Sequence, residues 1–131
     1  MNVFIYTRRI DHEHQEALGH ILDQLIRKGC TLWIQERFLG YLPMTFDWRA
    51  QLNIVEEINA QTPLDLVLSV GGDGTILEVS RYLQKNKAPI LGLNSGRLGF
   101  LSQLSFSDFH QAIEEIVSND FDIDLRANIE V

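Results

Sequence analysis

The sequence predicts an α/β fold built on a mostly parallel sheet. Apolar runs of strand length alternate with stretches whose apolar residues recur at helical spacing, a pattern typical of βαβ units. Two runs, residues 64–70 and 89–93, are almost continuously apolar, as expected for parallel strands covered by helices on both faces. With 131 residues, 45% of them hydrophobic, the chain is long enough to bury a single core.

The first half of the chain predicts strands at residues 2–7 and 30–35, with a helix between them. Asp11 is the expected N-cap of that helix, and Gly29 is expected to end it. Its apolar residues at helical spacing are Leu18, Ile21, Leu22, Leu25 and Ile26. Residues 36–47 show no decisive pattern. Residues 48–60 predict a further helix that carries Leu52, Val55 and Ile58.

In the second half, each almost continuously apolar strand leads into a loop that contains glycine. Helices are predicted at residues 75–84 and 107–118. Ser105 or Ser107 is the expected N-cap of the second helix. Its inward residues are expected to be Phe109, Ala112, Ile113, Ile116 and Val117.

Charge and periodicity both change near residue 120. Residues 1–100 carry 10 basic and 11 acidic side chains, whereas residues 101–131 hold most of the net charge of −7. Residues 121–131 alternate strictly between apolar and polar, which predicts an antiparallel strand with one buried face. We therefore expect an N-terminal α/β domain over residues 1–120. Residues 121–131 are expected to begin a second, β-rich domain that this chain does not contain.

The composition also restricts partners and compartment. The net negative charge argues against nucleic acid or an anionic membrane as the main partner. The chain shows no apolar run of about 18 residues and no basic region ahead of an apolar one at its start, so neither a membrane span nor a signal peptide is predicted. The single cysteine, Cys30, is expected to be a small buried residue. We expect a cytoplasmic protein.

The loop Gly71-Gly72-Asp73-Gly74 follows a buried strand and precedes a helix, where open α/β sheets bind ligands. Glycine lets phosphate oxygens approach main-chain N–H groups, and the helix adds the positive end of its dipole. Asp73 would coordinate Mg2+ or accept a proton from an attacking hydroxyl in phosphoryl transfer. The alternative is a turn aspartate that bonds its own backbone. The segment matches neither the P-loop nor the full dinucleotide-binding pattern.

A second loop, residues 94–100, contains further polar and aromatic candidates. The Asn94 amide can donate and accept hydrogen bonds. Arg97 would neutralise a phosphate or remain solvated, and Phe100 would stack on a base or pack in the core. Elsewhere, His12, Glu16 and His20 share a helical face; they would ligate a metal or, as we expect, form a solvated surface.

The two loops together resemble the NAD kinase family, whose members phosphorylate the 2′-hydroxyl of the adenosine ribose of NAD to give NADP. The resemblance rests on GGDGT at 71–75 with Leu77 and Arg81, and on PILGLNSGRLGFL at 89–101. GGDGT also occurs in diacylglycerol and sphingosine kinases, so the second motif is the discriminating one. The resemblance implies a Rossmann-like, phosphofructokinase-type three-layer domain.

The resemblance also implies roles for individual residues. Asp73 would be the catalytic proton acceptor, with Gly72 and Gly74 along the diphosphate. The remaining nucleotide contacts would be Leu77 beside the nucleotide, Asn94 and Gly96 in the second loop, and Phe100 against adenine. Position 78 is often basic in the family, so Glu78 removes one expected anion contact.

The resemblance implies NAD as acceptor, ATP as donor with Mg2+ offsetting its charge, and a homo-oligomer for the full-length protein. The family's Asn-Glu motif lies in the β-rich domain, so the chain alone is expected to be weakly active or inactive. Two alternatives remain open. One is a lipid kinase of the diacylglycerol kinase type, and the other is a non-catalytic nucleotide-binding module in which Asp73 caps a turn.

Overall fold

The computed structural model describes residues 1–44, 46–83, 85–94 and 103–118. Within these residues, six strands form one sheet: β1 (Asn2–Thr7), β2 (Thr31–Gln35), β3 (Asn53–Val55), β4 (Leu66–Gly71), β5 (Ile90–Asn94) and β6 (Gln103–Ser105). The α-helices are α1 (His12–Arg27), α2 (Asp73–Leu83) and α3 (Phe106–Val117). The predicted strand at 121–131 lies outside the described residues.

The strands are all parallel and follow the order β3-β2-β1-β4-β5-β6. This order reverses between β1 and β4, so the connections that leave these two strands turn to opposite sides and open a crevice at their carboxyl ends. Helix α2 covers the sheet face that carries Phe4 and Tyr6, since Tyr82 contacts both rings. Helices α1 and α3 contact each other on the opposite face. The prediction of a mostly parallel α/β fold is confirmed.

The central strands and the helix ends match their sequence signals. Strand β4 is buried at every position, which explains its continuous apolar run. The Asp11 side chain accepts from the His14 N–H and caps α1, and Gly29 follows that helix with a φ of +89°. The Ser105 side chain accepts from the Asp108 N–H and caps α3.

The predicted helix over residues 48–60 is wrong. A 3₁₀ helix at Asp47–Gln51 is followed directly by strand β3, which pairs with β2. Trp48 is responsible: its buried indole N–H donates to the Gly19 carbonyl at 3.1 Å and its ring lies beside Phe46. The missing Cβ of Gly19 makes room for the Phe46 ring, which would lie 2.4 Å from it. This tertiary contact overrides local helix propensity.

Two other segments were not foreseen. Residues 36–47, for which the sequence shows no decisive pattern, contain a 3₁₀ helix at Glu36–Tyr41. Its Phe38 packs edge-on against Tyr6. The three-residue strand β6 pairs with β5 through Gly92 to Asn94. Its length is too short for a periodicity to be visible in the sequence.

Gly71, the last residue of β4, has a φ of +153°, and a Cβ there would lie 2.3 Å from the Thr75 hydroxyl oxygen. We expect Gly71→Ala to lower the free energy of unfolding by about 2 kcal/mol or more, since it adds backbone strain to a steric overlap. Urea denaturation measures the change.

Gly72→Ala is the matched control, because a Cβ at that neighbouring glycine would meet no atom within 4 Å in the part of the chain that the structure describes. It should change the free energy of unfolding by less than about 1 kcal/mol. Equal destabilisation by the two substitutions would contradict the special packing role of Gly71.

Candidate active site

The candidate catalytic residue, Asp73, occupies the first position of α2. The sequence predicted that this helix begins at Thr75, so the expected Gly-Asp-Gly loop is in fact partly helical. The Gly72 carbonyl accepts from the N–H groups of Thr75 at 3.1 Å and Ile76 at 3.3 Å and closes the first turn. The half-buried Asp73 therefore projects from a helix N-terminus.

The main chain around Asp73 is open to approach. A Cβ at Gly72 or at Gly74 would meet no atom of the described residues within 4 Å. The first N–H groups of a helix have no carbonyl partner inside the helix, and they form the positive end of its dipole. This end of α2 can accept an anionic ligand close to the backbone.

Asn94 connects the second motif to the first. It is the last residue of β5, it is 7% exposed, and it pairs in register with Gly71. The carboxyl ends of β4 and β5 thus bring the two motifs together. Gly96, Arg97 and Phe100 lie outside the described residues, and their expected roles stay predictions.

Thr75, in the first turn of α2, has a packing role. Its side chain is 1% exposed and lies over Gly71. Its hydroxyl and the equally buried hydroxyl of Ser69 find no hydrogen-bond partner among the described residues. Two polar atoms are thus buried beneath the first turn of α2.

An open groove of about 630 Å³ runs along α2 on the other side of β4, towards β1. Its lining residues are Tyr6, Arg37, Gly74, Leu77, Glu78, Arg81 and Tyr82. Leu77, expected beside the nucleotide, is 48% exposed in this groove. The sequence analysis missed Tyr6, Arg37 and Tyr82. The i, i+3, i+4, i+7 spacing from Gly74 to Arg81 was the available signal for the α2 wall.

A hydrogen-bonded chain crosses the groove. The Tyr6 hydroxyl donates to Glu78 Oε1 at 2.5 Å and accepts from Arg37 Nη2 at 3.3 Å. Burial, and then the hydrogen bond to Glu78, raise the pKa of Tyr6 to about 12. Glu78 therefore has a partner within the fold, and its negative charge lies near a guanidinium.

The histidines and the glutamate considered as metal ligands make contacts with other side chains of the fold. His12 Nε2 lies 3.8 Å from Glu16 Oε1, and the ring of His20 packs edge-on against Phe46. Among the described residues, no group of three His, Cys, Asp or Glu side chains could hold a metal ion. Cys30 is a buried free cysteine. No helix in the described ranges is long and apolar enough to cross a membrane.

Comparison with known proteins decides the family. A sequence profile described as ATP-NAD kinase N-terminal domain matches residues 3–121. The chain belongs to the ATP-NAD kinase family. This membership confirms the resemblance drawn from GGDGT and from the second loop. The matched region, residues 3–121, covers most of the chain.

Individual relatives agree with this family assignment. An NAD kinase of Methanosphaera stadtmanae is 43% identical over 131 residues, covering 100% of this chain and 45% of that protein. One from Porphyromonas gingivalis is 28% identical over 130 residues, covering 98% of this chain and 44% of that protein. The chain therefore spans less than half the length of these ATP-NAD kinase relatives.

A solved structure supports the fold. Yeast NADH kinase, crystallised in complex with NADH, matches with a TM-score of 0.69 and 24% identity. The match covers 92% of this chain and 38% of the yeast chain. The predicted Rossmann-like, three-layer ATP-NAD kinase fold is thereby confirmed.

The raised pKa of Tyr6 gives a test of the hydrogen-bonded chain. The pKa of Tyr6 is raised from its ordinary value of 10.0 to about 12. At pH values between these two, Tyr6 loses its proton in the unfolded chain and keeps it in the folded protein. The free energy of unfolding should therefore decrease as the pH rises from about 10 to about 12. Denaturant titrations across this range measure the decrease.

Tyr6→Phe should remove part of that decrease; Tyr82 and Cys30, whose pKa values are also raised by burial, contribute to the remainder. Tyr41→Phe is the matched control, since Tyr41 is not part of the groove. It should keep the whole decrease. An unchanged pH dependence in Tyr6→Phe would contradict the assignment.

Proposed function

We propose that this chain carries the catalytic aspartate of an NAD kinase, which transfers the γ-phosphoryl group of ATP to the 2′-hydroxyl of the adenosine ribose of NAD. The observation that carries the proposal is the placement of Asp73 at the N-terminus of α2, between two glycines whose surroundings are open. Family membership supplies the reaction class.

In the proposed reaction, the Asp73 carboxylate accepts the proton of the ribose 2′-hydroxyl. The hydroxyl oxygen forms a bond to the γ-phosphorus, and the bond from that phosphorus to the ADP oxygen breaks. ADP leaves with the bonding electron pair. The N–H groups at the start of α2 would stabilise charge on phosphate oxygens, and Gly72 and Gly74 permit their approach.

The acceptor nucleotide is proposed to lie towards β5. Asn94 would help to shape its pocket from the end of that strand, where it pairs with Gly71. Leu77 lies in the groove on the β1 side, where it offers an exposed apolar surface to a bound nucleotide. Gly96 and Phe100 keep the roles implied by the family, in the second loop and against adenine.

The donor set at this site fits Mg2+ that arrives with ATP. Mg2+ is commonly held by one or two carboxylates together with substrate phosphates rather than by an all-protein cage. Asp73 is the carboxylate proposed to hold it, and the described residues contain no three-ligand cluster. When bound, Mg2+ would neutralise part of the triphosphate charge.

The domain organisation also remains a proposal. We place the α/β domain at residues 1–120 and the first strand of a β-rich domain at 121–131. The relatives are more than twice as long as the matched region, which supports the view that the chain alone is weakly active or inactive. We further propose a cytoplasmic homo-oligomer at full length, with neither nucleic acid nor membrane as partner.

Asp73→Asn tests the catalytic assignment. In the full-length natural protein, the substitution should lower kcat for NADP formation by about 10²- to 10⁴-fold, since the amide cannot accept the proton. Coupled NADP detection measures the rate. Asp47→Asn, at the first position of a 3₁₀ helix and absent from the groove lining, is the control that should retain activity.

The same assay separates the alternatives. If Asp73→Asn leaves NADP formation unchanged, Asp73 is a turn residue, and a non-catalytic nucleotide-binding module gains support. Phosphorylation of diacylglycerol in preference to NAD would instead favour a lipid kinase. Family membership argues against that second outcome.

A further inference from the structure

The groove along α2 begins beside Asp73 and leads away from it. Gly74, Leu77, Glu78 and Arg81 form one wall at helical spacing. At about 1.5 Å of rise per residue, the seven steps from Gly74 to Arg81 span roughly 10 Å. Tyr6 and Arg37 form the opposite wall. An elongated ligand in this groove would thus have one end next to the candidate catalytic carboxylate.

The two arginines of the groove differ in how they are held. Arg37 lies 4.4 Å over the Phe38 ring, and its Nε donates to Gln35 Oε1 at 3.1 Å. The guanidinium is thus oriented before any ligand binds. Arg81 is exposed, and it forms no ion pair or hydrogen bond within the part of the chain that the structure describes. Its guanidinium is available to an incoming anion.

We propose that this groove binds the polyphosphate chain of the phosphoryl donor, with Arg37 and Arg81 as its anion contacts. The inference rests on the proposed function, since it takes the reaction to be phosphoryl transfer at Asp73. Guanidinium groups suit this ligand because their fork of donors matches two phosphate oxygens at once.

The strand order separates the donor from the acceptor. Strand β4, which leads into Asp73, lies between β1 and β5. Asn94 and the second motif lie on the β5 side, whereas Tyr6 and Arg37 approach from the β1 and β2 side. Two substrates that approach Asp73 from opposite sides can place the γ-phosphorus between the attacking and leaving oxygens, as in-line transfer requires.

Glu78 is compatible with an anionic ligand in this groove. Its carboxylate accepts a hydrogen bond from the Tyr6 hydroxyl, and the Tyr6 oxygen in turn accepts one from Arg37. The three charged residues of the lining, Arg37, Arg81 and Glu78, leave one net positive charge. Glu78 therefore acts as a positioning residue, which fixes Tyr6 and through it Arg37.

Arg81→Ala in the full-length natural protein is the primary test, because the described structure gives Arg81 no internal contact whose loss would unfold the chain. The Michaelis constant for ATP should rise about 10-fold or more, as expected for the loss of one charged hydrogen bond. The Michaelis constant for NAD should change less than about 2-fold. The double variant Lys85→Ala/Lys87→Ala removes two charges outside the groove lining and should leave both constants unchanged.

A rise in the Michaelis constant for NAD with no change for ATP would overturn the proposal, since the groove would then hold the acceptor. Glu78→Gln supplies the positioning readout. It should raise the constant for ATP less than Arg81→Ala does, because the amide oxygen still accepts from Tyr6.

Calorimetric titration with inorganic tripolyphosphate gives a readout independent of turnover. Arg81→Ala should weaken its binding about 10-fold relative to the natural protein, and unchanged binding would overturn the groove assignment. If the natural protein binds tripolyphosphate through Arg81 but forms no NADP, the proposed function fails while the groove proposal stands. Asp73→Asn could instead abolish turnover while Arg81→Ala changes neither Michaelis constant nor tripolyphosphate binding. In that case the groove proposal fails while the proposed function stands.

Discussion

Helix α2 begins directly above the end of β4 because Gly71 presents no side chain to Thr75. The Thr75 hydroxyl occupies the volume that a Cβ at Gly71 would enter, and the φ of +153° redirects the chain at this point. One residue later, the Gly72 carbonyl closes the first helical turn. The contact between Gly71 and Thr75 therefore helps to set the position of Asp73 relative to the sheet. The remainder of the candidate site is arranged around this fixed point.

The order of the strands makes the two sides of Asp73 chemically different. Because the order reverses between β1 and β4, the connections that leave these two strands turn to opposite faces of the sheet. The end of β4 therefore lies between the groove on the β1 side and strand β5. The two sides of Asp73 are consequently unlike. One carries a buried amide, Asn94, and the other carries aromatic rings and guanidinium groups. A fold that offers two chemically different approaches to one carboxylate suits a reaction with two substrates.

The sequence predicted those parts of the structure that depend on neighbours along the chain. Continuous apolar runs identified β4 and β5, and local capping chemistry identified Asp11 and Ser105, whose side chains bond N–H groups three residues later. GGDGT and the second motif, which contains Asn94, were recognised because each is a contiguous stretch of sequence. Their proximity is shown by the structure, in which the parallel strands β4 and β5 pair and end at the same edge of the sheet.

The features that escaped prediction depend on residues far apart in the chain. Trp48 belongs to a 3₁₀ helix because it bonds Gly19, 29 residues earlier. The groove was missed because Tyr6 and Glu78 are 72 residues apart, and because a tyrosine in a buried strand is typical of core packing. Arg37 belongs to a segment without periodicity, and only the folded chain brings it against Tyr6.

At the first turn of α2, features that leave space for a ligand also lower the stability of the fold. The hydroxyls of Ser69 and Thr75 are buried without a partner among the described residues, at a cost of about 1–3 kcal/mol each. A valine at either position would avoid that cost. At position 72, a side chain that capped the helix would fill the space beside Asp73 that Gly72 leaves open. Because position 72 is a glycine, no side chain there competes with phosphate for the N–H groups at the start of α2.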